Sequence, residues 1–251
     1  MEEPKITWGP VAAVLGSIVM FAASQVIGVV LLLVFALVIG GHSLGEMEGG
    51  GSFLEDPVYI FLGNALVAGV LLGMVYGFIR LRKSTLRAAG LDMLKPLHAA
   101  YALLGYGIYF LSFLAMSILI QTRAPELLEQ EQSLGFSRSA EGPELALIFV
   151  SLVILPPLVE EILFRGFLYG GLRRRLPVIW STLLASGIFA AAHLFGGETG
   201  VLLWVAAADT FILSMVLCQL RERSGSLWPP ILLHGIKNFV AYAALFIFKV
   251  A

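Results

Sequence analysis

Two adjacent carboxylates and an arginine stand inside an otherwise apolar run, PPLVEEILFR, from Pro156 to Arg165. An ionised side chain at the centre of a membrane helix costs about 2.5–3.5 kcal/mol on insertion scales. Such groups persist where they are paired, hydrated in a cavity, or used. On a helix, Glu161 and Arg165 are i,i+4 neighbours and lie one above the other. Glu160 is turned about 100° away from Glu161, so it lacks that built-in partner and is the candidate for chemistry. Further along, His193 ends the run FAAAH with Phe189 one turn before it, and His234 opens HGIKN with Asn238 one turn after it. A carboxylate and an imidazole within reach of one water can strip its proton, the general-base step of hydrolysis. A second imidazole and a carboxamide offer donors for the oxyanion of a tetrahedral intermediate. Together they describe a peptidase site that needs no Ser or Cys nucleophile. The same residues could hold a metal ion that activates the water, and their spacing does not decide between the two. The sequence has no H-E-x-x-H, so the cofactor stays unknown: a divalent metal such as zinc is compatible with these residues and not required by them.

Taken singly, a buried histidine or a Glu–Arg pair is more often structural than functional. The glutamate pair, both histidines and the asparagine, however, all fall on the last four apolar windows. Asp209 and Lys237, the remaining intramembrane charges, read as an ion pair or a helix cap rather than as catalysts.

The elements that must position these residues are membrane helices. Of the 251 residues, 59% are hydrophobic and 13% charged, against about 25% charged in an ordinary soluble domain, and the mean hydropathy is +0.91. The net charge of −1 gives no reason to expect a nucleic-acid partner. A single cysteine, Cys218, excludes an intrachain disulfide framework and a Cys-based zinc site, and reads as a small apolar filler. A membrane helix needs about 20 apolar residues. Windows at 11–40, 57–79, 97–121, 144–170, 177–195, 201–220 and 228–248 qualify, which predicts an all-α polytopic bundle of seven, at most eight, transmembrane helices. It reads as one membrane domain, with scaffold helices over 1–142 and a motif-bearing core over 143–251. The first window is expected to stay in the mature protein, because no basic region precedes it and it is longer than a signal peptide's apolar core. Gly49, Gly50 and Gly51 make the first acidic loop flexible, and Asn64 is the strongly polar side chain of the second window. Segment 84–96 suits an amphipathic helix on the inner surface, with Leu86, Leu91 and Leu94 toward lipid.

Basic and acidic linkers alternate. Arg80, Arg82, Lys83, Arg87 and Lys95, then Arg173–Arg175, then Arg221 and Arg223 mark one side; 41–56, 122–143 and Glu198 in 196–200 mark the other. The positive-inside rule then puts the N-terminus in the cytoplasm and the C-terminus outside. With straight, full-span helices the site residues would not meet. Glu160 would lie roughly 20 Å and His234 about 9 Å from their basic ends, with His193 near the opposite edge. Helix ends lying in the interface, or kinks at Pro156-Pro157 and Pro229-Pro230, are the expected remedy.

Glu160-Glu161-x-x-x-Arg165, Phe189-x-x-x-His193 and His234-x-x-x-Asn238, in that order, resemble the three motifs of the CPBP intramembrane proteases. These are the CAAX prenyl endopeptidases of type II and their bacterial relatives linked to bacteriocin processing and self-immunity. The stretch GSLWPPILLHGIKN resembles the family's lead-in to its last histidine, and the likeness covers about 145–240. It implies that Glu160 is the general base, with His193 helping to activate the water. Glu161 with Arg165 would be a structural pair, Phe189 would support the site, and His234 and Asn238 would line the oxyanion side. It also implies a membrane-associated polypeptide substrate, prenylated or leader-bearing, and a bacterial or archaeal plasma membrane. Family members have been regarded both as metalloproteases and as metal-independent glutamate proteases, which leaves the metal open. Membrane lipid and a polypeptide are the expected partners, and nothing in the sequence sets an oligomeric state. Two other classes fit the same residues: a non-catalytic immunity or scaffolding protein that keeps the cluster as a structural network, and a proton-coupled transporter using it as a relay. Against the transporter, the two halves contain no inverted pair of interrupted helices.

Overall fold

The computed structural model describes residues 5–48, 51–130, 135–195 and 201–250. Gly49, Gly50 and the linker 196–200 with Glu198 lie outside the described residues. Among those described, regular structure is helical throughout. In chain order the principal helices are α1 (Pro10–Val38), α2 (Pro57–Leu81), α3 (Pro96–Arg123), α4 (Pro143–Arg173), α5 (Val178–Ala192), α6 (Trp204–Ser224) and α7 (Trp228–Ile247). All but α5 are long and apolar enough to cross a membrane, and the chain is an integral membrane protein. The fifth expected span is a correction: α5 has 15 residues, about 22 Å at 1.5 Å per residue, short of the roughly 30 Å of hydrocarbon in a bilayer.

Proline sets the starts. Each of α1 to α4 begins on one, because the first-turn N–H that proline lacks has no intrahelical partner anyway. Pro229 and Pro230 do the same in α7, so they open that helix rather than kink it. Gly225, at φ +68°, ends α6 in the left-handed conformation that favours glycine.

The basic linkers come together at one end of the bundle. Ser84 Oγ donates to the Lys5 carbonyl at 2.7 Å, and Thr7 Oγ1 to that of Arg82 at 2.6 Å. Arg173 grips Glu222 through two hydrogen bonds of 2.8 and 2.9 Å, joining the ends of α4 and α6.

Helix α4 is the axis of the fold. Half of its apolar window is buried, against 11–17% for α1 to α3. One flank packs on α1 and α2, the other on α5, α6 and α7, while α3 lies outside against α6 and α7. Helix α4 is also irregular, widening into π-helical turns over Val150–Ile154 and Ile162–Leu168. The second wide turn presents the Phe167 carbonyl to Trp8 Nε1 at 2.9 Å, and the two rings stack with centroids 5.2 Å apart. Helices α5 and α6 pack on each other, and the side chains buried on them include the small Ala185, Ser186, Ala207 and Cys218. Small residues at such seams let membrane helices approach closely.

Segment 84–96 is not the expected surface helix. It is a run of turns folded back into the bundle: Ala89 is buried, Leu86 and Leu91 pack on the core, and Leu94 alone of the three leucines is well exposed. The Gly90 carbonyl accepts from Leu227 N at 2.8 Å, and the Asp92 carbonyl from Trp228 Nε1 at 2.7 Å. Helix α7 therefore starts on this inserted turn, well inside the basic face. Its first residues lie beside Gly166 of α4, where a Cβ would stand 3.3 Å from Leu227 Cδ1 and 3.4 Å from the Ala89 carbonyl. That deep start resolves the mismatch in depth. Glu161 lies about 7 Å above Gly166 and His234 about 10 Å above Leu227 along their helices. Helix α5, climbing from the same end, stops after about 22 Å, and its last turn delivers His193 to a similar level.

Candidate active site

The Glu161–Arg165 pair expected from the spacing is present. Arg165 Nη1 donates to Glu161 Oε1 at 2.8 Å, with both side chains 0% exposed. The same oxygen also receives His234 Nδ1 at 2.9 Å, from a ring 5% exposed. A carboxylate oxygen only accepts, so Nδ1 carries the proton and His234 keeps Nε2 for the cavity. Glu161 thus has a second duty, orienting an imidazole, that local spacing does not reveal: the contact joins residues 73 apart in sequence. Among the described residues, Arg165 Nε and Nη2 and Glu161 Oε2 have no hydrogen-bond partner. The guanidinium instead lies over the Phe189 ring, 4.5 Å from its centroid, where the π face attracts the cation.

Phe189 is the hub of this arrangement. Its ring is fully buried, with centroids 4.6 Å from His193 and 6.1 Å from His234. Its carbonyl, in the unpaired last turn of α5, accepts from His193 Nδ1 at 2.9 Å. That bond fixes the His193 tautomer, because a carbonyl cannot donate, and leaves Nε2 as the free basic nitrogen.

Asn238 answers a vacancy made by the Pro156-Pro157 pair. In an α-helix the Leu152 carbonyl would accept from residue 156, and in a π-turn from residue 157, and both are prolines without N–H. Asn238 Nδ2 fills the gap at 2.8 Å, keeping its second N–H and its Oδ1. Asn238→Leu strands that carbonyl and is expected to lower stability by about 1–3 kcal/mol, read as a drop in the detergent-solubilised melting temperature.

Glu160, His193, His234 and Asn238 line one cavity of about 420 Å³ between α4, α5, α6 and α7. Glu160 Oε2 is buried in it with no hydrogen-bond partner among the described residues. Asp209 and Lys237 form another wall and pair at 3.2 Å, the ion-pair reading given to them above. Tyr109 of α3, which carried no signal in the sequence, donates to Asp209 Oδ1 at 2.6 Å and ties the outer helix to the cavity. Among the described residues, no three His, Cys, Asp or Glu side chains converge as a metal's ligand set would. For want of a third such ligand among the described residues, the side chains as placed do not fit a resident metal, and no chemical step is assigned to one.

Comparison with known proteins agrees with the motifs. Residues 142–240 match the family model for Type II CAAX prenyl endopeptidase Rce1-like. An Escherichia coli protein described as "Uncharacterized 24.3 kDa protein" is 36% identical over 94 residues, covering 37% of this chain and 41% of that one. The chain thus matches less than half the length of this curated relative. No solved structure matches. The matched segment contains Glu160, Glu161, Arg165, Phe189, His193, His234 and Asn238, the residues that meet in the cavity or directly support it. Over residues 142–240 the chain is therefore similar to the Type II CAAX prenyl endopeptidase Rce1-like family.

Proposed function

We propose that this protein is an intramembrane endopeptidase that hydrolyses a peptide bond of a membrane-associated polypeptide with water activated by Glu160. The observation that carries the reading is the shared cavity, in which an unpartnered carboxylate faces two imidazoles with free Nε2 atoms and a carboxamide with a spare N–H. Glu160 accepts a proton from water as the oxygen attacks the scissile carbonyl carbon, and His193 Nε2 orients that water. The carbonyl π electrons move to oxygen, and the oxyanion is met by the second Asn238 N–H, on the side of the cavity that His234, oriented by Glu161, also lines. Collapse breaks the C–N bond, and the proton on Glu160 passes to the leaving amine. The products are a new carboxylate and a new amine, with the site restored. Preorganised donors of this kind are among the largest contributors to acyl-transfer catalysis.

The substrate class is a polypeptide carrying a prenyl group or a leader segment. Candidate substrates co-expressed with the wild type and with His193→Ala, and compared by mass spectrometry, test the reading. A cleavage product present with the wild type and lost with His193→Ala is expected. Identical products from both would remove His193 from the mechanism.

A further inference from the structure

A second cavity, of about 310 Å³, lies between α1, α2 and α4 on the other flank of Glu160. Leu152, Pro156 and Glu160 line both cavities, and Glu160 is the ionisable group common to the two. The second lining is partly polar where a seam between scaffold helices would be expected to be apolar: Gln25 of α1 and Asn64 of α2, both exposed, and Ser151 of α4 contribute to it among apolar side chains. Ser151 is 2% exposed, and its hydroxyl, like Glu160 Oε2, is buried without a hydrogen-bond partner among the described residues. Buried polar atoms in folded proteins are matched by protein or by ordered water, and leaving one unmatched in hydrocarbon is costly. At about 30 Å³ per water molecule, such a volume has room for roughly ten.

We propose that this second cavity is a hydrated side chamber that supplies water to Glu160, with Asn64, Gln25 and Ser151 holding the water. The supply function rests on the endopeptidase reading; the hydration does not. A polypeptide bound in the main cavity covers Glu160 from that side, yet each turnover consumes one water. A wet chamber behind α4 replenishes it without release of substrate. Asn64, Gln25 and Ser151 are then positioning residues that act through water on Glu160.

Hydroxyl-radical footprinting by X-ray radiolysis of the full chain in nanodiscs tests the hydration. Phe21 and Leu71, which line the chamber, should be oxidised faster than lipid-facing leucines such as Leu103 and Leu111. Asn64→Leu combined with Ser151→Ala should suppress that labelling, while Asn64→Gln, which keeps the carboxamide, should retain it. Labelling of Phe21 and Leu71 no faster than of the lipid-facing leucines, or unchanged in the double variant, overturns the chamber whether or not the protein is a peptidase. On a confirmed substrate, Asn64→Leu should lower kcat about 10- to 100-fold, as misplacement of a reacting group does, with KM unchanged and with Asn64→Gln restoring most of the rate. A raised KM at constant kcat would make the chamber a polypeptide subsite and overturn the supply role. Suppressed labelling with kcat intact would do so as well, whereas failure of the endopeptidase reading itself appears separately, as absence of any product dependent on His193.

Discussion

Glu160→Gln is expected to lower hydrolysis of a confirmed substrate by about 10²- to 10⁴-fold, the range set by removal of a positioned general base, while leaving the bundle folded. The two halves of this result have different physical origins. Loss of rate follows because a carboxamide cannot accept the proton of the attacking water. Retention of the fold follows because Glu160 Oε2, buried and without a protein partner among the described residues, contributes no ion pair that the substitution could break. A carboxamide of nearly equal shape removes a buried charge and its desolvation cost, so the melting temperature should be equal to or above that of the wild type. Measuring kcat/KM and thermal unfolding on the same preparation decides the matter. A non-catalytic immunity or scaffolding protein would tolerate Glu160→Gln in its cellular role, and full hydrolysis by the variant would end the assignment of Glu160 as base.

The residues readable from the sequence and those hidden from it differ in kind. Glu161 and Arg165 were readable because they lie one turn apart on one helix, where geometry is local. Asp209 with Lys237 was readable because two opposite charges in a poor solvent for charge must find each other. The helices themselves follow from apolar length, and all seven windows end within a few residues of the observed helices α1 to α7. What stayed hidden depends on depth. Hydropathy counts α5 as a span, because its apolar window runs on beyond the point where the helix ends at His193. Amphipathic patterning made segment 84–96 a surface helix, yet Leu86 and Leu91 face the protein core, since a leucine pattern does not say whether lipid or protein will cover it. That inserted turn starts α7 deep in the bundle and brings His234 level with Glu161. Its signature in the sequence is faint, consisting of Gly90 at φ +101° and Trp228, whose indole N–H needs the Asp92 carbonyl.

Glu161→Ala is expected to be the most destabilising single change at the site, and it separates two duties that the sequence merges into one. Removing the carboxylate leaves Arg165 buried with no hydrogen bond to a protein group, since Nη1 loses its acceptor while Nε and Nη2 already have none among the described residues. Breaking one side of a buried ion pair costs about 3–5 kcal/mol, which for a chain of this size lowers the melting temperature by roughly 6–20 °C. The Phe189 face at 4.5 Å recovers part of this loss, because a desolvated cation–π contact is worth up to about 2 kcal/mol. The double variant Glu161→Leu with Arg165→Met removes both charges, and replacement of a buried pair by apolar side chains is often neutral or stabilising. Its melting temperature should return to near that of the wild type. Hydrolysis should not return, because His234 Nδ1 loses its acceptor and with it the orientation that aims Nε2 into the cavity. Recovery of both stability and activity would reduce Glu161 to a structural counter-ion; recovery of stability alone would identify it as the group that positions His234.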